Sequence, residues 1–159
     1  MRLLKGLQEL DPDMNGPWDE LDSATLAKVI RRLIGARERD GRKVKPCLVH
    51  GDLWESNIRT NITTREIYIF DAAAYYAQNK MEIGTWRVNH QEMKAKAYRQ
   101  EYVRHFEKSE PVEEWDDRLK LYGVKKKLIC SARVAGGKSI QQEILEYLLE
   151  LAHLYGGGN

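Results

Sequence analysis

The sequence predicts an α+β fold that is mainly α, with a small β-hairpin ahead of a long helical half. Three observations carry this. Leu26, Val29, Ile30, Leu33 and Ile34 recur at helical spacing. Short β-branched and aromatic runs lie between Cys47 and Phe70 around a polar turn. Helical periodicity then returns from Met81 to Tyr155. With 159 residues, 42% apolar and 31% charged, the chain can bury one core, so residues 1–159 are read as one domain.

Taken in order, residues 1–22 form a loop-rich start, closed by the Pro/Gly/Asn/Asp cluster DPDMNGPWD. Ser23 is placed to cap the first helix. The basic stretch Gly35 to Lys45 ends that helix, and Pro46 prevents its continuation. Cys47-Leu48-Val49 reads as a short buried strand. Glu66 to Phe70 (EIYIF) reads as a second, joined to Ile58-Arg59 through a turn at Asn61 to Arg65. Residues 45–80 therefore hold the loops, and everything after Ala72 reads as helical. Helices are expected over Met81–Phe106, Glu113–Val134 and Ser139–Tyr155, divided at Ser109-Glu110-Pro111 and Ala135-Gly136-Gly137. The terminal GGGN is expected to fray.

Charge narrows the function. Lys and Arg number 26 against 24 acids, a net +2 that gives no reason to expect nucleic acid or an anionic membrane as partner. No apolar run approaches the roughly 18–20 residues that cross a bilayer. The first residues are too broken by charge for a signal peptide. Cys47 and Cys130 show no CxxC or metal spacing, which suits reduced, mostly buried thiols and a cytoplasmic location.

The informative string is His50-Gly51-Asp52-Leu53-Trp54-Glu55-Ser56-Asn57. Asp71 follows nineteen positions after Asp52, at the end of the second strand. A carboxylate, an amide oxygen five residues on, and a second carboxylate returned by a hairpin can face one point. Phosphoryl transfer needs such a set: one carboxylate to accept the attacking hydroxyl's proton, and oxygens to hold Mg²⁺ on nucleotide phosphates. Protein kinases use HRDxxxxN and a DFG aspartate in this way. Here Gly51 replaces the Arg and Ala72-Ala73 replaces Phe-Gly, the form found in aminoglycoside phosphotransferases and choline kinases. The predicted fold is accordingly a kinase-like (aminoglycoside phosphotransferase-like) C-terminal lobe. Gly137-Lys138-Ser139 is not a phosphate loop, because Ala132 stands at the required first Gly and no strand precedes it.

At finer grain the chain resembles the fructosamine/ketosamine kinase family, in its fungal, protein-ribulosamine 3-kinase-like form. The likeness rests on His50-Gly51-Asp52-Leu53-Trp54 with Asn57, on Ile69 through Tyr76, and on Met81-Glu82-Ile83-Gly84. It departs from the family pattern at Ser56 (usually Gly), Ala72 (Pro) and Ala77-Gln78 (Gly-His). The resemblance implies ATP- and Mg²⁺-dependent phosphorylation of a sugar hydroxyl on fructosamine or ribulosamine adducts of small amines or glycated proteins. It implies Asp52 as catalytic base, Asn57 and Asp71 as Mg²⁺ ligands, His50 as a brace for the loop and Trp54 beside the sugar. Glu82 is expected to hydrogen-bond the loop or cap its helix, and Tyr75 and Tyr76 to pack. The residues before Cys47 read as loop and helix, so the nucleotide-binding N-terminal lobe of a complete family member is expected to be absent. A bare apolar patch is then expected near the first helix and Tyr75-Tyr76. A kinase for another small alcohol, of aminoglycoside or choline type, and a catalytically inactive kinase-like binding module stay open as alternatives.

Overall fold

Helix α1 (Ser23–Gly35) forms over the expected amphipathic stretch, with Leu26, Val29 and Leu33 on its buried face. The computed structural model describes residues 21, 23–35, 41, 43, 45–87, 92–109, 111–133 and 138–157. The Ser23 side chain, the DPDMNGPWD segment and the Ala135-Gly136-Gly137 break lie outside that set.

Two antiparallel ribbons follow. Strand β1 (Cys47–Val49) pairs with β4 (Tyr75–Ala77), and β2 (Ile58–Thr60) pairs with β3 (Ile67–Ile69) as the expected hairpin. The turn is held by Asn61, whose side-chain oxygen accepts the Thr63 and Thr64 amides at 2.9 and 3.1 Å. Strand β4 corrects the expectation that all residues after Ala72 are helical. Tyr75 and Tyr76 suit a pleated ribbon, and β1 offers them a partner in register Val49↔Tyr75 and Leu48↔Tyr76.

The helical half comprises α2 (Lys80–Thr85), α3 (Lys96–His105), α4 (Trp115–Arg133) and α5 (Lys138–Tyr155). The single helix expected over Met81–Phe106 is broken. Its two ends would lie far apart, since sixteen residues of straight helix span about 24 Å. Instead Trp86 meets Tyr102 edge-to-face at 5.8 Å, because the chain turns to bury Trp86 and Met93 in one cluster with Ile83, Trp115 and Leu119. A second cluster joins Leu26 of α1 to Val124 and Leu128 of α4 and to Ile144, Leu145 and Leu148 of α5. Each such side chain contributes about 1.5–3 kcal/mol on burial. Inside this layer Lys127 is wholly buried; its ammonium pairs with Glu143, and burial lowers its pKa against that partner's pull.

Three smaller expectations change. Cys47 and Cys130 are free and half-buried rather than buried, and neither belongs to a core cluster. Gly156 does not fray: it is buried and donates to the Ala152 carbonyl at 2.7 Å, close against Thr25. The exposed apolar surface follows the ribbons more than α1. Leu48 and Tyr76 are 64% and 75% exposed, Ile67 through Phe70 are all exposed, and α1 adds only Ile30. Tyr76 is therefore not a packing residue, whereas Tyr75 is half-buried.

Helices α2 and α4 cross at two glycines. A Cβ on Gly123 would lie 2.9 Å from the Gly84 carbonyl oxygen; one on Gly84 would lie 2.5 Å from the Tyr122 Cβ. In an open helix Gly→Ala stabilises by roughly 1 kcal/mol. Here the overlap should reverse the sign, and Gly84→Ala is expected to cost about 1–2 kcal/mol, read as a lower urea midpoint. Gly35→Ala, where a Cβ meets nothing within 4 Å, should be neutral or stabilising.

Candidate functional site

The loop between β1 and β2 is closed by a ring of hydrogen bonds. The Asp52 amide donates to His50 Nδ1 at 3.3 Å, and His50 Nε2 meets the Phe70 carbonyl at 2.9 Å. The Phe70 amide donates to the Asn57 carbonyl at 3.2 Å, and Asn57 Nδ2 donates to the Asp52 carbonyl at 2.9 Å. Both His50 contacts are satisfied by one neutral form, with the proton on Nε2. The ring brings His50, Asp52 and Asn57 together, with Asp71 one residue beyond Phe70. Asn57 is buried while Asp71 is exposed.

Backbone geometry sharpens the corner. Gly51 has φ +79°, and a Cβ there would strike the Tyr75 ring at 2.5 Å and the Ala73 carbonyl at 2.9 Å. Its amide donates to Glu82 Oε2 at 3.1 Å, so Glu82 of α2 holds the loop as expected. Asp71 has φ +57°, a left-handed conformation that is uncommon for a residue with a Cβ. Trp54 is half-buried; its carbonyl accepts the Asn57 amide at 2.9 Å.

A cavity of about 360 Å³ opens beside Asp52, walled by Gly51, Tyr75, Thr85, Tyr122, Lys125 and Lys126. Trp54 is not in its wall. Burial, then the charge of Glu82, raises the Tyr75 pKa, which keeps this phenol protonated. Lys125 sits over the Tyr75 ring at 5.0 Å. The Lys126 ammonium forms an ion pair with Asp52 Oδ1. A larger groove of about 510 Å³ lies over Trp115, lined by Lys96, Arg99, Arg104 and Lys108, and shares no residue with the motif.

Lys126 is the site residue that sequence reasoning missed. Lys125-Lys126-Lys127 reads as a solvated charge run within a helix. The available signal was its phase: Lys126 falls seven residues after buried Leu119 and three after Gly123, on the face that meets α2.

Asn57 and Asp71 offer hard oxygen donors, which fit Mg²⁺ better than a soft metal. Among the described residues no three His, Cys, Asp or Glu side chains form a metal cluster. Magnesium does not need one, since it keeps waters and takes substrate phosphate oxygens alongside one or two carboxylates.

A sequence model of the family described as fructosamine kinase matches residues 18–151. The chain belongs to the fructosamine kinase family. A chloroplastic protein-ribulosamine 3-kinase from Oryza sativa subsp. japonica is 47% identical over 45 residues, which is 28% of this chain and 13% of that protein. The protein of the same name from Arabidopsis thaliana is 44% identical over 41 residues, 26% of this chain and 12% of its own length. The chain thus spans about an eighth of the length of these relatives. Among the described residues no helix is long and apolar enough to cross a membrane.

Replacing His50 with Ala should open the ring without touching the helical layer. Of the two hydrogen bonds lost, the one to the Asp52 amide, about 1 kcal/mol, should speed exchange at that amide roughly fivefold. Exchange in α4 and α5 should not change. Unaltered exchange at Asp52 would remove the bracing role of His50.

Proposed function

We propose that this fructosamine kinase family member is a kinase-like C-terminal lobe whose loop transfers the γ-phosphoryl group of ATP to a sugar hydroxyl of a ketosamine. The ketosamine is a fructosamine or ribulosamine adduct on a small amine or on a glycated protein. The observation that carries the reading is the hydrogen-bonded ring that gathers Asp52 and Asn57 and delivers the chain to Asp71. The names of the relatives support the ketosamine as acceptor.

In this reading Asp52 accepts the proton of the attacking hydroxyl, and the cavity beside it receives the sugar. Asn57 and Asp71 would hold Mg²⁺, which when bound neutralises charge on the phosphates. His50 positions the Asp52 backbone and touches no reactant. Trp54 would flank the part of the acceptor that extends beyond the cavity. The two free cysteines suit a reducing, cytoplasmic setting.

The test grafts this chain into a full-length protein-ribulosamine 3-kinase in place of the matching portion, and follows transfer from Mg-ATP by ³¹P NMR. A fructosamine and a ribulosamine should both be phosphorylated, and an aminoglycoside and choline left unchanged. Asp52→Asn should lower kcat by about 10²–10⁴-fold without loss of nucleotide affinity. Asp71→Asn should weaken Mg-nucleotide binding as well. Preference for the aminoglycoside or choline, or equal loss of nucleotide affinity in both variants, would refute the assignment.

A further inference from the structure

We propose that Lys126 is a phosphate-binding catalytic residue, supplied to the Asp52 loop by helix α4, which exchanges the Asp52 carboxylate for the terminal phosphoryl group of the donor. The proposal rests on the kinase-like reading of the site and adds a residue to it.

The argument begins with charge. The described wall of the cavity holds one carboxylate, Asp52, and two ammonium groups, Lys125 and Lys126. Glu82 is not among the wall residues, and its Oε2 accepts the Gly51 amide. The wall is thus cationic and matches an anionic ligand with oxygen acceptors. Lys125 is spread over the Tyr75 ring, which leaves Lys126 as the ammonium that reaches the motif itself. Its side chain is 19% exposed and that of Asp52 33%, so the pair is half-shielded from water yet open to a ligand.

Reach comes next. A hydroxyl that gives its proton to Asp52 lies within about 3 Å of that carboxylate, and a phosphorus in line for attack lies roughly 3–3.5 Å further. An ammonium already touching Asp52 is therefore one side-chain swing from the phosphoryl oxygens. Lysine suits this exchange, because its charge is a compact group on a flexible stem. A carboxylate that keeps a cation is a poorer proton acceptor, whereas a phosphoryl group with several charged oxygens competes well for the ammonium.

In the step itself the hydroxyl oxygen bonds to the γ-phosphorus, and the bond from that phosphorus to the bridging oxygen breaks. ADP leaves with the electron pair, and the hydroxyl proton passes to Asp52. Lys126 keeps its protons and donates a hydrogen bond to a non-bridging oxygen, where it stabilises charge in the transition state.

The test needs no turnover. Magnesium-free tripolyphosphate is titrated by calorimetry into the 159-residue chain and its variants, each checked for helicity by circular dichroism. Wild type should bind. Asp52→Asn, which removes the competing carboxylate, should bind severalfold more tightly. Lys126→Met should lose at least tenfold, and adding Asp52→Asn to it should restore nothing. Lys125→Met should lose less, and Lys126→Arg should keep most of the affinity. Should Lys126→Met fail to fold, the Asp52→Asn and Lys126→Arg arms still decide. Absence of wild-type binding at millimolar tripolyphosphate, unchanged affinity in Lys126→Met, or no gain in Asp52→Asn overturns the proposal. The grafted kinase separates the two readings. Lys126-dependent binding without ketosamine transfer sinks the enzyme assignment alone. Transfer at full kcat in grafted Lys126→Met sinks the role of Lys126 alone.

Discussion

The backbone crossing of α2 and α4 at Gly84 and Gly123 is the constraint on which the rest depends. Two residues before Gly84, Glu82 takes the Gly51 amide; three residues after Gly123, Lys126 meets Asp52. Tyr122, beside the crossing, donates to Gln78 at 3.0 Å, just ahead of α2. Opposite charges thus approach the same loop from two helices whose separation is fixed by the lack of two Cβ atoms. Any larger residue at the crossing would move Glu82 and Lys126 apart, and the loop between them would lose one anchor or the other.

The loop is held by bonds rather than by apolar packing. Only Leu53 and Ile58 near it reach the Ile83–Trp115 cluster, while its polar groups satisfy one another around the His50–Asp52–Asn57–Phe70 ring. That arrangement tolerates positive φ at both Gly51 and Asp71. A left-handed residue with a Cβ costs of order 1–3 kcal/mol and persists where its surroundings over-determine it. At Asp71 those surroundings are the β3 ladder and the Phe70 bonds on one side and the pairing of β4 on the other.

Most of the fold was legible because its signals are local. The α1 periodicity, the hairpin turn at Asn61 and the last two helices all stand near their expected bounds. What was not legible depends on distant partners. Strand β4 exists because β1 offers it an edge, and nothing in Tyr75-Tyr76-Ala77 alone separates a strand from a helix. The break within Met81–Phe106 exists because Trp86 must reach Tyr102 and Met93 in one cluster, and hydrophobic spacing continues across the turn. At the site, hydrogen bonds link His50, Asp52 and Asn57 through Phe70, and Asp71 is the next residue in the chain. Lys126 lay hidden among neighbouring lysines, since its place at the loop comes from its pairing with Asp52, 74 residues away in the chain.

The two ribbons have a further consequence for how molecules of this protein meet one another. Among the described residues each strand has a single partner, so both ribbons keep backbone donors and acceptors on their outer edges. Leu48 and Tyr76 form an apolar rung across one ribbon, and Ile67, Tyr68 and Ile69 run along the other. Edges of this kind can extend by adding a strand, which covers the rungs and satisfies the free backbone together. The helices carry the stability of the molecule, but its colloidal behaviour is governed by a dozen residues of strand that contribute little to that stability.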